Sequence, residues 1–258
     1  MKITNVISKL HWFAFTGLVA LALNGCLTSD NPKITTYSDD GQGAFIVSEM
    51  DQMGQVTGDF SGGVAAKISA DNHHKIKGEL VVQPMTYDTS CQCFVRGSEF
   101  TGTQGFERMR MDTIRLVSIT GLPMDHFNID SLSYITHTRH VTRTGPKNAI
   151  DVSISVTVNI TTDILGGHKG VWNGTMTGTF NGETFKSGTI TDVVRVYDPA
   201  SGEFLFPESG TVVITRPNYQ YTVVFLGNGQ AQVTIVKLIT NEKVHVFGLG
   251  GDYKELGK

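Results

Sequence analysis

Charge is scarce in this 258-residue sequence: Asp, Glu, Lys and Arg together make up 17%, below the quarter usual for globular chains. The 21 basic and 24 acidic residues leave a formal charge of −3, and no basic excess marks a nucleic-acid surface. Catalytic signatures are missing as well. There is no Gly-x-Ser-x-Gly elbow, no His-Glu-x-x-His and no phosphate loop, and Gly248, Gly250 and Gly251 lack the strand-to-helix setting that cradles phosphate. A protein that is not an enzyme, with no cofactor and no nucleic-acid partner, is therefore expected. Cysteine is sparse, three in all, and no pair has the two-residue spacing of a thioredoxin-like motif. No convincing amphipathic helix follows the first 25 residues. Hydrophobic residues at 40% still supply a core, so disorder is not expected.

The first carboxylate is Asp30. Ahead of it, Lys2 and Lys9 precede an apolar run from Leu10 to Leu23, interrupted only by His11, Thr16 and Gly17. That is the layout of a secretory signal peptide. The run is shorter than the ~20 residues a helix needs to cross a bilayer. Without the two leader lysines the remaining chain carries −5. The run ends in Leu23, Asn24, Gly25, Cys26, which resembles the lipobox of bacterial lipoproteins: Leu at minus three, a small residue at minus one and Cys at plus one. The resemblance covers only this segment. It implies cleavage after residue 25, diacylglycerol on the Cys26 thiol and further acylation, such as palmitate, on its freed amine; two or more acyl chains anchor stably where one does not. Leu27 lacks the Asp that favours inner-membrane retention, so the resemblance points to the outer membrane, with the rest in the periplasm or at the cell surface.

Residues 26–43 are expected to be the lipidated cysteine and a polar tether. Within it, Asp39, Asp40 and Gly41 lack the alternating ligands of a calcium loop. Residues 44–258 are expected to form a single all-β domain.

With Cys26 lipidated, Cys91 and Cys93 remain. An extended strand separates such a pair by about 6.6 Å with nearly parallel side chains, so an intrachain disulfide needs a local turn. That structural bridge is the favoured reading. Two thiols for a soft metal, with Met109, Met111 and Met124 as conceivable further ligands, a redox pair and an interchain bridge are the alternatives. No metal ligand set is assigned. His73 and His74 read as turn residues.

Strand patterns fill the rest. Val64 to Ser69 and Ile76 to Gln83 read as two strands joined by a turn. Phe106 to Ile119 reads as extended, with Met109, Met111, Val117 and Ile119 on one parity and Arg108, Arg110 and Asp112 on the other; Ile114 and Leu116 break that alternation, so a bulge or a change of packing partner is expected near Thr113. In Leu132 to Thr144, His137 and His140 should face opposite sides, while Arg139 and Arg143 share the parity of His137. A solvated outer face is the preferred reading of that parity, and a small cationic strip for an anion the other. Ile150, Val152, Ile154, Val156, Val158 and Ile160 alternate with polar residues without exception, the mark of an antiparallel sheet with one wet face. Trp172, Met176 and Phe180 share a face with Gly174 and Gly178, and Asn181-Gly182 signals a hairpin. Strands from Glu183 to Phe247, with turns at Asp198–Gly202 and Gly227–Gly229, complete an antiparallel meander that forms a sandwich, barrel or half-barrel.

The expected function is a membrane-anchored envelope lipoprotein with a β-rich binding or scaffolding domain, contacting the membrane through its lipid and another envelope protein or a polymer through the domain. A carrier of a hydrophobic ligand in the cavity of a β-barrel or half-barrel is one alternative; thiol or metal binding at Cys91 and Cys93 is another.

Overall fold

The computed structural model describes residues 41–61, 78–102, 105–145 and 149–249. Cys26, most of the tether, the Val64 to Ser69 strand, His73 and His74 lie outside the described residues.

Among the described residues, fifteen strands form one antiparallel sheet. They are β1 (Gly78–Val82), β2 (Thr86–Asp88), β3 (Cys93–Gly102), β4 (Glu107–Ser118), β5 (Pro123–Met124), β6 (Leu132–Thr144), β7 (Ile150–Thr162), β8 (His168–Phe180), β9 (Glu183–Thr184), β10 (Ser187–Asp198), β11 (Glu203–Phe204), β12 (Ser209–Thr215), β13 (Tyr219–Gly227), β14 (Gln230–Lys237) and β15 (Glu242–Leu249). The main path runs β1-β3-β4-β6-β7-β8-β10-β12-β13-β14-β15, with β2, β5, β9 and β11 paired beside it. Among the described residues the path is open, β1 and β15 not pairing with each other, so the meander does not close into a barrel.

The alternation read in Ile150 to Ile160 is the alternation observed: Ile150, Val152, Ile154, Val156 and Val158 are buried, and Asp151, Ser155, Thr157 and Asn159 are exposed. On β8 the inward residues are Trp172, Met176 and Phe180, all buried. The Asn181-Gly182 turn takes positive φ at both residues, 52° and 78°, as a two-residue hairpin of matching twist requires.

One element was not foreseen. A helix, α1 (Gln42–Gln55), lies on the inward face, continued by a 3-10 turn (Val56–Ser61). It includes Gln42 and Gly43, assigned to the tether by their polarity. Local signals for it are weak: Gly41 precedes it without a side-chain cap, and Gly43, Gly54, Ile46 and Val47 are poor helix formers. Packing compensates. Phe45, Ile46, Val47, Met50 and Met53 are buried together with Ser48, Glu49, Asp51 and Gln52. Because it is buried on nearly all sides it has no solvent-facing side, and its polar residues are set among apolar ones rather than segregated, which is why no amphipathic pattern betrays it.

The helix makes the sheet curl. Side chains of β3, β4, β6, β10 and the β12–β13 region all reach α1 or its 3-10 extension. In a flat sheet β3 and β13 would stand about 34 Å apart, whereas a helix with its side chains is about 10–12 Å across. The sheet therefore wraps the helix as a half-barrel wraps its contents.

α1 and its 3-10 extension together run from one end of the sheet to the other. Phe45 meets Phe180, ring centroids 5.9 Å apart, at the end of the β8–β9 turn. Phe60 meets Phe94 (4.7 Å) and Phe127 (5.5 Å) at the opposite end, which carries the β7–β8 hairpin.

Candidate functional site

Inside the curl, charged side chains from the sheet converge on the helix. Glu49 is the centre. Its Oε1 accepts from Arg108 Nη2 (2.7 Å) and Arg110 Nη2 (2.9 Å), and its Oε2 from Arg139 Nη1 (3.2 Å). Arg139, wholly buried, also donates through Nε and Nη2 to the two oxygens of Asp112, at 2.7 and 3.2 Å. Asp112 Oδ1 meets His137 Nε2 at 2.7 Å. Charge-assisted and bidentate bonds of this kind are the strong ones in a dry interior.

Further arginines hold the rest of the helix. Arg96 on β3 pairs with Asp59. Arg195 on β10 donates to the carbonyls of Met50, Asp51 (3.5 Å) and Leu205 (2.9 Å), with its guanidinium 4.9 Å from the Trp172 ring centroid. Arg216, just after β12, donates to Gln42 Oε1 (2.8 Å) and Glu183. Arg195 faces inward because the left-handed Asp192 (φ 46°) and a register shift put both Ile190 and Val193 in the core.

The surroundings fix the ionisation. Burial, the largest influence on Asp112, favours its neutral form, but Arg139 and His137 outweigh it and hold the carboxyl well below the usual range. Burial pushes His137 down, with the Arg139 and Arg195 charges adding to it against Asp112, so the imidazole is neutral. Arg139 is held above its ordinary value because Asp112 and Glu49 overcome the effect of burial. Glu203 is pushed up by burial and by the Asp51 and Asp198 charges.

One sequence expectation is corrected here. The face of β6 carrying His137, Arg139 and Arg143 is the inner one, and the anions it meets are the protein's own Glu49 and Asp112. His137 and His140 do face opposite sides, His140 Nδ1 lying 3.0 Å from Ser153 Oγ. Of the two outcomes expected near Thr113, the change of packing partner is the one found: the register of β4 with β6 runs unbroken from Glu107 to Val117, without a bulge. Arg108, Arg110, Asp112, Ile114 and Leu116 form one inward row whose chemistry changes from ionic, opposite Glu49, to apolar. Met109 and Met111 point outward.

A cavity of about 50 Å³ lies beside this network. Arg96, Arg110 and Arg139 are matched in it by Asp59, Asp112 and Glu203, so it has little net charge to draw an ion. Ligand pockets for drug-sized molecules run to about 300–1,000 Å³; this one has room for a few waters.

Cys91 and Cys93 form a close pair, Cα atoms 5.2 Å apart, with the geometry of an intrachain disulfide. The required turn is present: Gln92 is left-handed, φ 51°. Met111 and Met109 sit opposite Gly97 and Glu99, about 13 and 20 Å along β3 from Cys93, and Met124 is buried beside Leu116. The methionines are thus not gathered around the sulfurs. Among the described residues no three His, Cys, Asp or Glu side chains are grouped to hold a metal ion.

Sequence reading missed Glu49, Arg96, Arg108, Arg110, Arg195 and Arg216 as interior residues. The available signal was parity: Arg108, Arg110 and Asp112 share theirs with Ile114 and Leu116, and Arg195 is flanked by valines. No protein-family model, curated protein or solved structure matches the chain.

Proposed function

We propose that this protein is a lipid-anchored component of the bacterial envelope, held through Cys26 in the outer membrane, whose β domain works by binding or scaffolding another envelope component. The observation that carries the reading is the filled interior. A sheet whose inner face is committed to its own helix by ion pairs has only its outer surface and loops left for other molecules. The same observation weighs against a carrier of hydrophobic ligands, because the volume such a ligand needs is occupied by Phe45, Ile46, Met50 and Met53. Pairing of Cys91 with Cys93 leaves no thiolate for metal.

Intact mass spectrometry of the full-length protein from a bacterial host tests the anchor. A mass equal to cleavage before Cys26 plus acyl chains supports it; an unacylated mass refutes it. Cross-linking in native envelopes tests the binding role, and recovery of no partner from any exposed position counts against it.

A further inference from the structure

We propose that the end of the sheet built around Ile164 and Leu165 is a docking surface for another protein, one that offers an apolar recess with a margin of Lys and Arg. This rests on the binding role proposed above and says where and with what chemistry it is exercised.

The β7–β8 hairpin is made to display two aliphatic side chains. Asp163 Oδ1 accepts from the N–H groups of Leu165 (2.9 Å) and Gly167 (2.8 Å), and the Asp163 N–H donates to the Gly167 carbonyl (2.8 Å). Gly166 supplies the positive φ of 84° that closes the turn. The backbone is thus satisfied within the loop itself, while Ile164 and Leu165 stand 101% and 91% exposed. The β4–β5 turn repeats the arrangement: Ser118 Oγ bonds both the Leu122 N–H (3.2 Å) and its carbonyl (3.0 Å), and Ile119 and Leu122 are 72% and 65% exposed. The two loops share one end of the sheet by strand register, and His168 Nε2 to Asp130 Oδ1 (2.9 Å) joins their bases. Side chains held ready on self-supported turns lose little freedom on binding.

The surrounding charge selects the occupant. Exposed carboxylates of Asp88, Asp125, Asp130, Asp163 and Glu208 lie at this end. Among the described residues the cations there are few: Lys169, already 3.2 Å from Glu208, and Arg115. A second copy would bring carboxylate against carboxylate. An anionic bilayer would be repelled in the same way, and neither turn offers the Trp, Tyr, Lys or Arg that seat a loop at a lipid interface. A protein face with an apolar centre and basic rim complements both features.

The test places a photo-cross-linking residue at Leu165, Leu122 or Thr157 of the full-length protein in the envelope of its bacterial host, Thr157 being exposed on the outer face of β7. The expected result is one and the same foreign protein joined from positions 165 and 122 and not from 157. Its yield should fall about tenfold with Ile164→Asp, the loss of one well-buried contact, and similarly in about 0.5 M NaCl, where rim charges are screened. Ile164→Asp should leave the melting temperature unchanged, because the side chain is fully exposed. Adducts with phospholipid or with a second copy overturn the proposal, as does a yield indifferent to salt and to Ile164→Asp. A partner captured from Thr157 alone overturns this surface while leaving the binding role standing; no partner from any position overturns both.

Discussion

Glu49 of the helix and Arg139 of β6, 90 residues apart in sequence, meet inside the sheet with Oε2 and Nη1 3.2 Å apart, their side chains only 2% and 1% exposed. Removing one member of a buried pair leaves the other charge uncompensated, at about 3–5 kcal/mol. Glu49→Ala should therefore lower the unfolding free energy of the full-length protein in detergent by that amount, since it removes the one carboxylate that Arg108, Arg110 and Arg139 share. Glu49→Gln, which keeps an acceptor oxygen, should lose less. Urea unfolding checks both, and a loss under about 1 kcal/mol for Glu49→Ala would mean that the pairs are dispensable.

Gly54 gives a prediction in which two principles oppose. In an ordinary helix Gly→Ala stabilises by about 1 kcal/mol. Here a Cβ would overlap the Arg195 guanidinium and the Phe204 carbonyl. Gly54→Ala should destabilise by about 1–3 kcal/mol, as overpacking does, and a raised melting temperature would show that the helix does not press on β10 and β11.

His137 sets a pH dependence. Its folded-state value is below the ordinary one, so the unfolded chain binds a proton that the folded chain refuses. Stability is then complete above about pH 6.5 and declines as pH falls toward the folded-state value, by up to about 1.4 kcal/mol per pH unit. Asp112, also held low, adds its own loss only below about pH 4. Chemical denaturation from pH 7.5 to 5 should show the slope in the native protein and a flatter one in His137→Gln; equal slopes would refute the assignment.

Replacing Cys91 and Cys93 together by Ser opens a very short loop, for which the chain-entropy relation gives about 1.6 kcal/mol. A modest drop in melting temperature with partner cross-linking unchanged is expected. Loss of cross-linking in the folded variant would instead give the cysteines a functional role.

What could be read from the sequence was what local pattern encodes. The Ile150 to Ile160 alternation and the Asn181-Gly182 turn need only neighbours a few residues away, and both are where the pattern puts them. The helix was hidden because its partners are distant: Glu49 is satisfied by Arg108, Arg110 and Arg139, and its burial removes the solvent-facing side by which helices are recognised. The interior ionic row on β4 was misread for the same reason. Arg108, Arg110 and Asp112 look solvent-facing until a buried carboxylate is placed opposite them, and that carboxylate lies about sixty residues earlier in the chain.

The sheet encloses its own helix. Amide hydrogen exchange on the full-length protein in detergent measures this directly, because protection reports the free energy of local opening. The amides of Ile46 to Met53 should be as protected as those of Val152 to Val158. Exchange of α1 as fast as that of a free peptide, with β7 still protected, would show an open cradle and restore the hydrophobic-carrier reading.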